Sequence, residues 1–174
     1  MTDTYRREIA LVGTMCDLPA ITSFVAEACA EAGVAPEARF DLELAVEEAC
    51  CNVMEHAYGG APGELRVTFE AQGCDVVITV CDRGRPFDPN AVPPPDMSLP
   101  LEERPIGGLG LFLMRQLMDT VQFTFTGTEN RLRMVKRGVR TARRDAASAS
   151  ATAPAQVPGP GEANDQPAPS DDPA

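Results

Sequence analysis

Three short segments constrain this chain most, because each combines binding-type residues with a defined place in a strand or helix. In chain order they are Glu48-Ala-Cys-Cys-Asn52, Asp82-Arg-Gly84-Arg-Pro-Phe-Asp-Pro89 and Gly107-Gly-Leu-Gly110-Leu-Phe-Leu. The first lies within a predicted helix, the second directly follows a predicted strand, and the third opens another predicted helix. A fold that brings these three segments into one small domain has the parts of a nucleotide site.

Strand and helix patterns alternate along most of the chain. Alternation of apolar and polar residues predicts strands over residues 6–12, 65–71, 76–81, 121–126 and 131–136. Apolar periodicity and end signals predict helices over residues 17–33, 35–56 and 107–118, with Asp17 as the cap of the first. Helices that fall between paired strands predict an α/β two-layer sandwich, with helices on one face of a mixed, mostly antiparallel sheet.

The composition changes near residue 145. Residues 146–174 consist mainly of Ala, Pro, Ser, Gly and Asp, with no aromatic residue and no basic residue. Such a segment buries too little apolar surface to offset the entropy of ordering. We therefore predict a folded domain over residues 1–145 and a disordered, acidic tail over residues 146–174.

Charge and composition exclude several classes of function. The net charge of −11 argues against direct nucleic-acid binding, which needs a basic face. No apolar run approaches the ~20 residues that cross a bilayer, and the N-terminus does not resemble a signal peptide. Six cysteines without a Cys-x-x-Cys pair, and a single histidine, favour reduced thiols over a zinc site. We expect a cytoplasmic protein with no membrane association.

The first segment places a carboxylate and an amide on one helix face. Glu48 and Asn52 are four residues apart, so their side chains stack beside a core-facing stripe that includes Leu42 and Val46. One interpretation is a solvated helix face. The other is a metal site, in which the Asn52 carbonyl oxygen binds Mg²⁺ and Glu48 accepts a proton from an attacking hydroxyl.

The second segment is a turn at the end of a strand. Asp82 can accept a hydrogen bond from an exocyclic amine such as adenine N6, and Gly84 lets the backbone approach a base closely. Phe87, between two prolines, adds an apolar ring beside the turn. An ordinary Asp-x-Gly turn is the alternative.

The third segment joins a proline-rich loop to a helix. Gly107, Gly108 and Gly110 free backbone N–H groups to wrap phosphates at a helix N-terminus, where the helix dipole also favours negative charge. The alternative is a merely flexible helix start. Arg104, just upstream, is placed either to reach a phosphate or to lie in solvent.

The order of the three segments resembles the GHKL ATPase superfamily, and within it the anti-sigma-factor serine/threonine kinases of bacterial partner-switching systems. The resemblance covers about residues 6–136 and implies the GHKL (Bergerat) ATP-binding fold. It implies that Asn52 binds Mg²⁺, that Glu48 is the general base and that Asp82 and Gly84 read adenine. It further implies that the glycines close over the phosphates of ATP. Other residues of the implied nucleotide site are Phe87, Arg104 and Leu111.

The same resemblance implies partners. They are a small anti-anti-sigma protein of the STAS type, which carries the acceptor Ser or Thr, and a sigma factor or other regulatory target. It also implies a homodimer. The alternative function is a nucleotide-dependent protein-binding regulator without phosphotransfer; Glu48 favours the kinase, because a pure binder needs no base. A histidine-kinase fragment is disfavoured, since the only histidine lies beside Asn52 and no coiled-coil helix precedes it.

Overall fold

Five strands form one open sheet in the computed structural model, which describes residues 4–91 and 109–140. The strands are β1 Thr4–Gly13, β2 Gly63–Gln72, β3 Asp75–Asp82, β4 Thr120–Phe125 and β5 Asn130–Lys136. Their order across the sheet is β1-β2-β3-β5-β4, and each described pairing is antiparallel.

Three α-helices pack against this sheet. They are α1 Leu18–Ala32, α2 Pro36–Asn52 and α3 Leu109–Leu117. A 3-10 turn, Met15–Asp17, precedes α1, and a π-helical turn, Val53–Ala57, extends α2. The helices lie on one side of the sheet, which confirms the predicted two-layer α/β sandwich.

The core forms between the helices and one face of the sheet because the apolar periodicities match. Leu65, Val67 and Phe69 alternate along β2 with polar residues and are buried. The stripe predicted on α2 is buried as well, with Leu42 and Val46 fully inaccessible. Burial of one such side chain stabilises the fold by about 1.5–3 kcal/mol, so the sandwich is held mainly by this layer.

The sequence predicts the C-terminal end of α1 correctly, but its prediction of the N-terminal cap is wrong. Gly33 stops the helix in the left-handed conformation, at φ 70°, as predicted. Asp17 stands at the N-cap position, but its carboxylate does not cap α1. It accepts hydrogen bonds from the Thr14 N–H at 2.8 Å and the Thr14 hydroxyl at 3.2 Å, so it stabilises the preceding 3-10 turn instead.

A buried arginine fastens the end of the described chain. Arg140 is only 7% exposed; its Nε donates to the Ala32 carbonyl at 2.7 Å and its Nη1 to the Gly73 carbonyl at 2.9 Å. These bonds satisfy a carbonyl at the C-terminal end of α1 and another in the β2–β3 turn. Residues 137–140, which follow β5, therefore belong structurally to the sandwich.

No helix within the described residues is long and apolar enough to cross a membrane. All six cysteines are free; Cys29, Cys50 and Cys81 are buried, whereas Cys16 and Cys74 are exposed. The predicted tail, residues 146–174, lies outside the described residues, so the domain boundary stays a prediction.

Candidate nucleotide-binding site

A cavity of about 320 Å³ opens where the end of α2 faces the ends of β3, β4 and β5. Asn52 and His56 line it from α2 and its π-helical turn. Asp82 lines it from β3, and Asn130 from β5. The first and second sequence segments therefore meet at one cavity, although they lie on different layers of the sandwich.

The helix changes its winding directly after Asn52. The Tyr58 N–H donates to the Val53 carbonyl at 3.1 Å, which closes the wider turn of a π-helix. Single π-helical turns inside α-helices occur frequently at functional sites. Here the turn lies against the cavity, which Val53, His56 and Ala57 line.

The third segment packs onto the first. A Cβ atom added at Gly110 would lie 2.5 Å from Glu48 Oε2 and 3.4 Å from Asn52 Nδ2. The first turn of α3 thus lies directly over the carboxylate and amide of α2, and a larger residue at position 110 would require the Glu48 side chain to move. Arg104, Gly107 and Gly108 lie outside the described residues, so their predicted phosphate contacts remain predictions.

Glu48 lies in an environment that makes its carboxylate more basic. The side chain is half-buried, and no residue in the described part of the chain donates a hydrogen bond to it. Burial raises the pKa of Glu48, and the negative charges of Glu47 and Glu55 raise it further. A carboxylate with a raised pKa is a stronger proton acceptor than an ordinary surface glutamate.

Asp82 accepts its hydrogen bonds from the described residues through only one of its two carboxylate oxygens. The residue is 6% exposed, and its Oδ1 accepts from the Gly84 N–H at 2.8 Å and from Asn130 Nδ2 at 2.8 Å. No described donor bonds to Oδ2. Burial raises the pKa of Asp82, and the bonds from Asn130 and Gly84 oppose that rise. The free oxygen of a fixed, buried carboxylate is a specific acceptor for a ligand N–H.

Gly84 has a structural constraint that the sequence did not indicate. A Cβ atom there would lie 2.7 Å from the Ala57 carbonyl oxygen, inside the π-helical turn. The next residue, Arg85, donates its N–H to the same carbonyl at 3.0 Å. The turn after β3 is therefore packed against the end of α2, and the expected approach of Gly84 to a base stays a prediction.

Aromatic rings form the apolar wall of the cavity. Phe87 and Phe123 lie with ring centroids 5.5 Å apart, and Phe125 lines the cavity beside them. Phe87 is 37% exposed, so a flat apolar ligand can cover it. Leu111, in contrast, is buried in the hydrophobic core and is not among the residues that line the cavity.

Asn130 lines the cavity and contacts Asp82, although no pattern in the sequence indicates it. It donates from Nδ2 to Asp82 and to the Gly84 carbonyl, 48 and 46 residues away in the chain. As a single polar residue at the start of a strand, it carries no local signal. Only the register of β3 with β5, which pairs Asp82 with Asn130, could have found it.

The side chains around the cavity suit a metal ion that is also bound by phosphate oxygens better than one bound by protein side chains alone. The described residues contain no group of three or more His, Cys, Asp or Glu side chains that could hold an ion. The Asn52 amide lines the cavity without a described hydrogen-bond partner. One neutral oxygen ligand suits Mg²⁺, which takes water and phosphate oxygens for its remaining positions.

The fold and the site together define an α/β sandwich module with a cavity of about 320 Å³. The cavity is lined by the Asp82 carboxylate, by aromatic rings and by the Asn52 amide, and Glu48 lies near that amide, against the first turn of α3. Residues 13–136 match the model of the histidine kinase-like ATPase domain, and the chain belongs to that family.

Similar proteins show which kinases within this family the chain resembles. A serine-protein kinase RsbW of Bacillus thuringiensis (strain Al Hakam) is 41% identical over 86 residues, 47% of this chain and 54% of that protein. RsbW of Bacillus cereus (strain AH187) matches to the same extent. The chain thus spans about half the length of these curated relatives. The resemblance to anti-sigma-factor kinases of the GHKL superfamily is confirmed.

A solved structure shares the fold. It is the crystal structure of the RsbU and RsbW domains of Rv1364c from Mycobacterium tuberculosis, with a TM-score of 0.54 and 18% identity. The match covers 79% of this chain and 34% of that one.

Proposed function

We propose that this protein is an ATP-dependent serine/threonine kinase and anti-sigma factor of a partner-switching system. It phosphorylates an anti-anti-sigma protein of the STAS type and sequesters a sigma factor or other regulatory target. The observation that carries the proposal is the position of Glu48, a carboxylate of raised pKa against the first turn of α3. A site built only to bind a nucleotide has no use for such a base.

ATP lies in the cavity with its base toward Asp82. The free Oδ2 of Asp82 accepts the exocyclic N–H of adenine, while Phe87 and Phe123 cover the apolar surface of the ring. This orientation directs the phosphates toward Asn52 and the start of α3.

The residues at the phosphate end fit a magnesium ion. Asn52 would hold it through its side-chain oxygen, together with phosphate oxygens and water. When bound, Mg²⁺ neutralises charge on the phosphate oxygens during transfer.

Glu48 acts on the acceptor. The hydroxyl oxygen of the acceptor Ser or Thr forms a bond to the γ-phosphorus, and the bond from that phosphorus to the β–γ bridging oxygen breaks. The hydroxyl proton passes to Glu48, and ADP leaves. The raised pKa of Glu48 suits this transfer, because a more basic carboxylate accepts the proton more readily.

We also propose an oligomeric state and a cellular compartment for this protein. The resemblance supports a homodimer in the cytoplasm, with protein partners and neither nucleic acid nor membrane as a direct ligand. Regulation by nucleotide-dependent binding alone is the second candidate, and it predicts ATP binding without transfer.

A transfer assay tests the proposed function. The protein is incubated with γ-labelled ATP, magnesium and each anti-anti-sigma protein encoded in the same genome. Label on a Ser or Thr of one of them is the expected result. ATP binding with no labelled acceptor in the complete set would contradict the kinase and favour the second candidate.

The pH dependence of transfer should respond to Glu55. The negative charge of Glu55 raises the pKa of Glu48, so Glu55→Gln lowers that pKa and keeps the base ionised at lower pH. We expect the acid limb of the kcat/KM profile to move to lower pH. Glu37→Gln, in the first turn of α2, is the control that leaves the profile in place. A limb that stays fixed or moves upward in Glu55→Gln would exclude Glu48 as the titrating base.

Base selectivity should depend on Asp82. Asp82→Asn replaces a carboxylate by an amide that has one acceptor oxygen and a donor group. We expect ATP affinity to fall roughly tenfold or more, the effect of losing one hydrogen bond to a charged group, and the preference for ATP over GTP to shrink. Calorimetry with both nucleotides measures this; a variant that still strongly prefers ATP would show that another group reads the base.

A further inference from the structure

We propose that Asn130 is a positioning residue for base recognition, which fixes Asp82 so that its free oxygen meets adenine. The inference rests on the proposed function and adds a residue that no sequence motif marks. Asn130 does not itself need to touch the nucleotide, since its contacts are with the turn that reads the base.

One amide nitrogen of Asn130 holds three acceptors of that turn. Nδ2 lies 2.8 Å from Asp82 Oδ1, 3.2 Å from the Gly84 carbonyl and 3.3 Å from the Arg85 carbonyl. Because all three partners are acceptors, the amide must present its nitrogen to them. Asn130 therefore fixes both the carboxylate and the backbone of the turn.

Strand pairing fixes the position of the Asn130 amide beside the turn. Asn130 is the first residue of β5 and pairs with Asp82, the last residue of β3. The β4–β5 hairpin before it is closed by the Thr126 N–H, which donates to the Glu129 carbonyl at 3.0 Å. The position of the amide is thus set by a ladder of paired strands rather than by a loop.

The consequence for Asp82 is a fixed orientation. With Oδ1 bonded to Asn130 and to the Gly84 N–H, the carboxylate plane cannot rotate without breaking a bond to a charged group. Oδ2 then keeps one direction before the base arrives. Such preorganisation favours the one ligand whose donor lies at that point.

Tyr58 gives the turn a second anchor. Its hydroxyl donates to the Glu64 carbonyl at 2.8 Å and accepts from the Arg83 N–H at 2.9 Å. Its ring fills the space beside Gly63, where a Cβ atom would lie 2.3 Å from it. Since Arg83 is exposed, water can replace this bond, and the effect of losing the hydroxyl should be smaller than that of losing the Asn130 amide.

The test compares Asn130→Asp with a matched amide-to-carboxylate change. Asn130→Asp keeps the shape but removes the donor and sets a second negative charge against Asp82. Gln122→Glu makes the same chemical change on β4, at an exposed residue whose neighbour Phe123 faces the cavity, so the Gln122 side chain points to the other side of the sheet. Calorimetry in magnesium measures binding of ATP, GTP and inorganic tripolyphosphate to each full-length variant.

We expect Asn130→Asp to lower the ATP-over-GTP preference roughly tenfold or more, as for a lost hydrogen bond to a charged group. Tripolyphosphate affinity should stay unchanged, because Asn130 contacts the base end only. Tyr58→Phe should lower the preference less, and Gln122→Glu should leave all three affinities unchanged.

Three results would overturn the inference. One is an unchanged ATP preference in Asn130→Asp, and another is an equal loss for tripolyphosphate. The third is an Asn130→Asp protein that is unfolded at 25 °C while Tyr58→Phe is folded, since that would mean a structural role. If the unaltered protein itself shows no ATP binding, the proposed function fails; if it prefers ATP and Asn130→Asp does too, only the inference fails.

Discussion

Glu48→Gln is expected to reduce phosphotransfer by roughly 10²–10⁴-fold, the usual contribution of a positioned general base. Glutamine keeps the size and the polar oxygen of the side chain but cannot take the acceptor's proton. ATP affinity should change little, because Glu48 lies against Gly110 and is not among the residues that line the described cavity. Single-turnover transfer of γ-labelled phosphate, with calorimetry on the same samples, separates the two effects.

Glu37→Gln provides the control for this experiment. Glu37 is an exposed residue of the same helix, so its replacement changes the net charge equally without reaching the site. Transfer by Glu48→Gln at the rate of the unaltered protein would mean that the reaction needs no base or uses another carboxylate. Glu55, in the π-helical turn, would then be the next residue to replace.

Asn52→Ala is expected to weaken Mg·ATP binding by at least roughly 10–100-fold, since even a residue behind a metal ligand contributes that much to metal affinity. The fold should persist, because the Asn52 side chain lines the cavity and is only half-buried. Calorimetry with ATP is carried out once in magnesium and once in EDTA. The difference between unaltered protein and variant should be present only in magnesium.

Gln122→Ala is the control for the loss of an amide. Gln122 lies on β4, is exposed and is not among the residues that line the cavity, so Mg·ATP affinity should be retained. Equal affinity of Asn52→Ala and the unaltered protein for Mg·ATP would remove Asn52 from the metal site. An equal loss in EDTA would instead mean that Asn52 contacts ATP directly.

The sequence predicts the elements of this fold well because their signals are local. Alternation along β2 and the apolar stripe of α2 depend only on neighbouring residues, and both are found in the core. The helix stop at Gly33 is equally local, since it follows from the backbone freedom of one residue. The Asp17 cap failed because a nearby partner, Thr14, competes for the same carboxylate.

The sequence predicts the site less completely, because residues that are distant in the chain come together there only when the strands pair. The three segments lie at one cavity or against it, as far as they are described. The π-helical turn, the Gly84–Ala57 contact and the Asn130 amide depend on packing and strand register, which leave no pattern in the sequence. The burial of Leu111 in the core likewise depends on how α3 packs against its neighbours.

The hydrogen bonds of Arg140 matter for the choice of limits in a shortened form of this protein. The family match spans residues 13–136, and a protein expressed with those limits would lack nearly all of β1 and the arginine that closes α1. It would expose the paired edge of β2 and leave the Ala32 and Gly73 carbonyls without their donor. We therefore expect a protein limited to residues 13–136 to be less stable than one that spans residues 4–140.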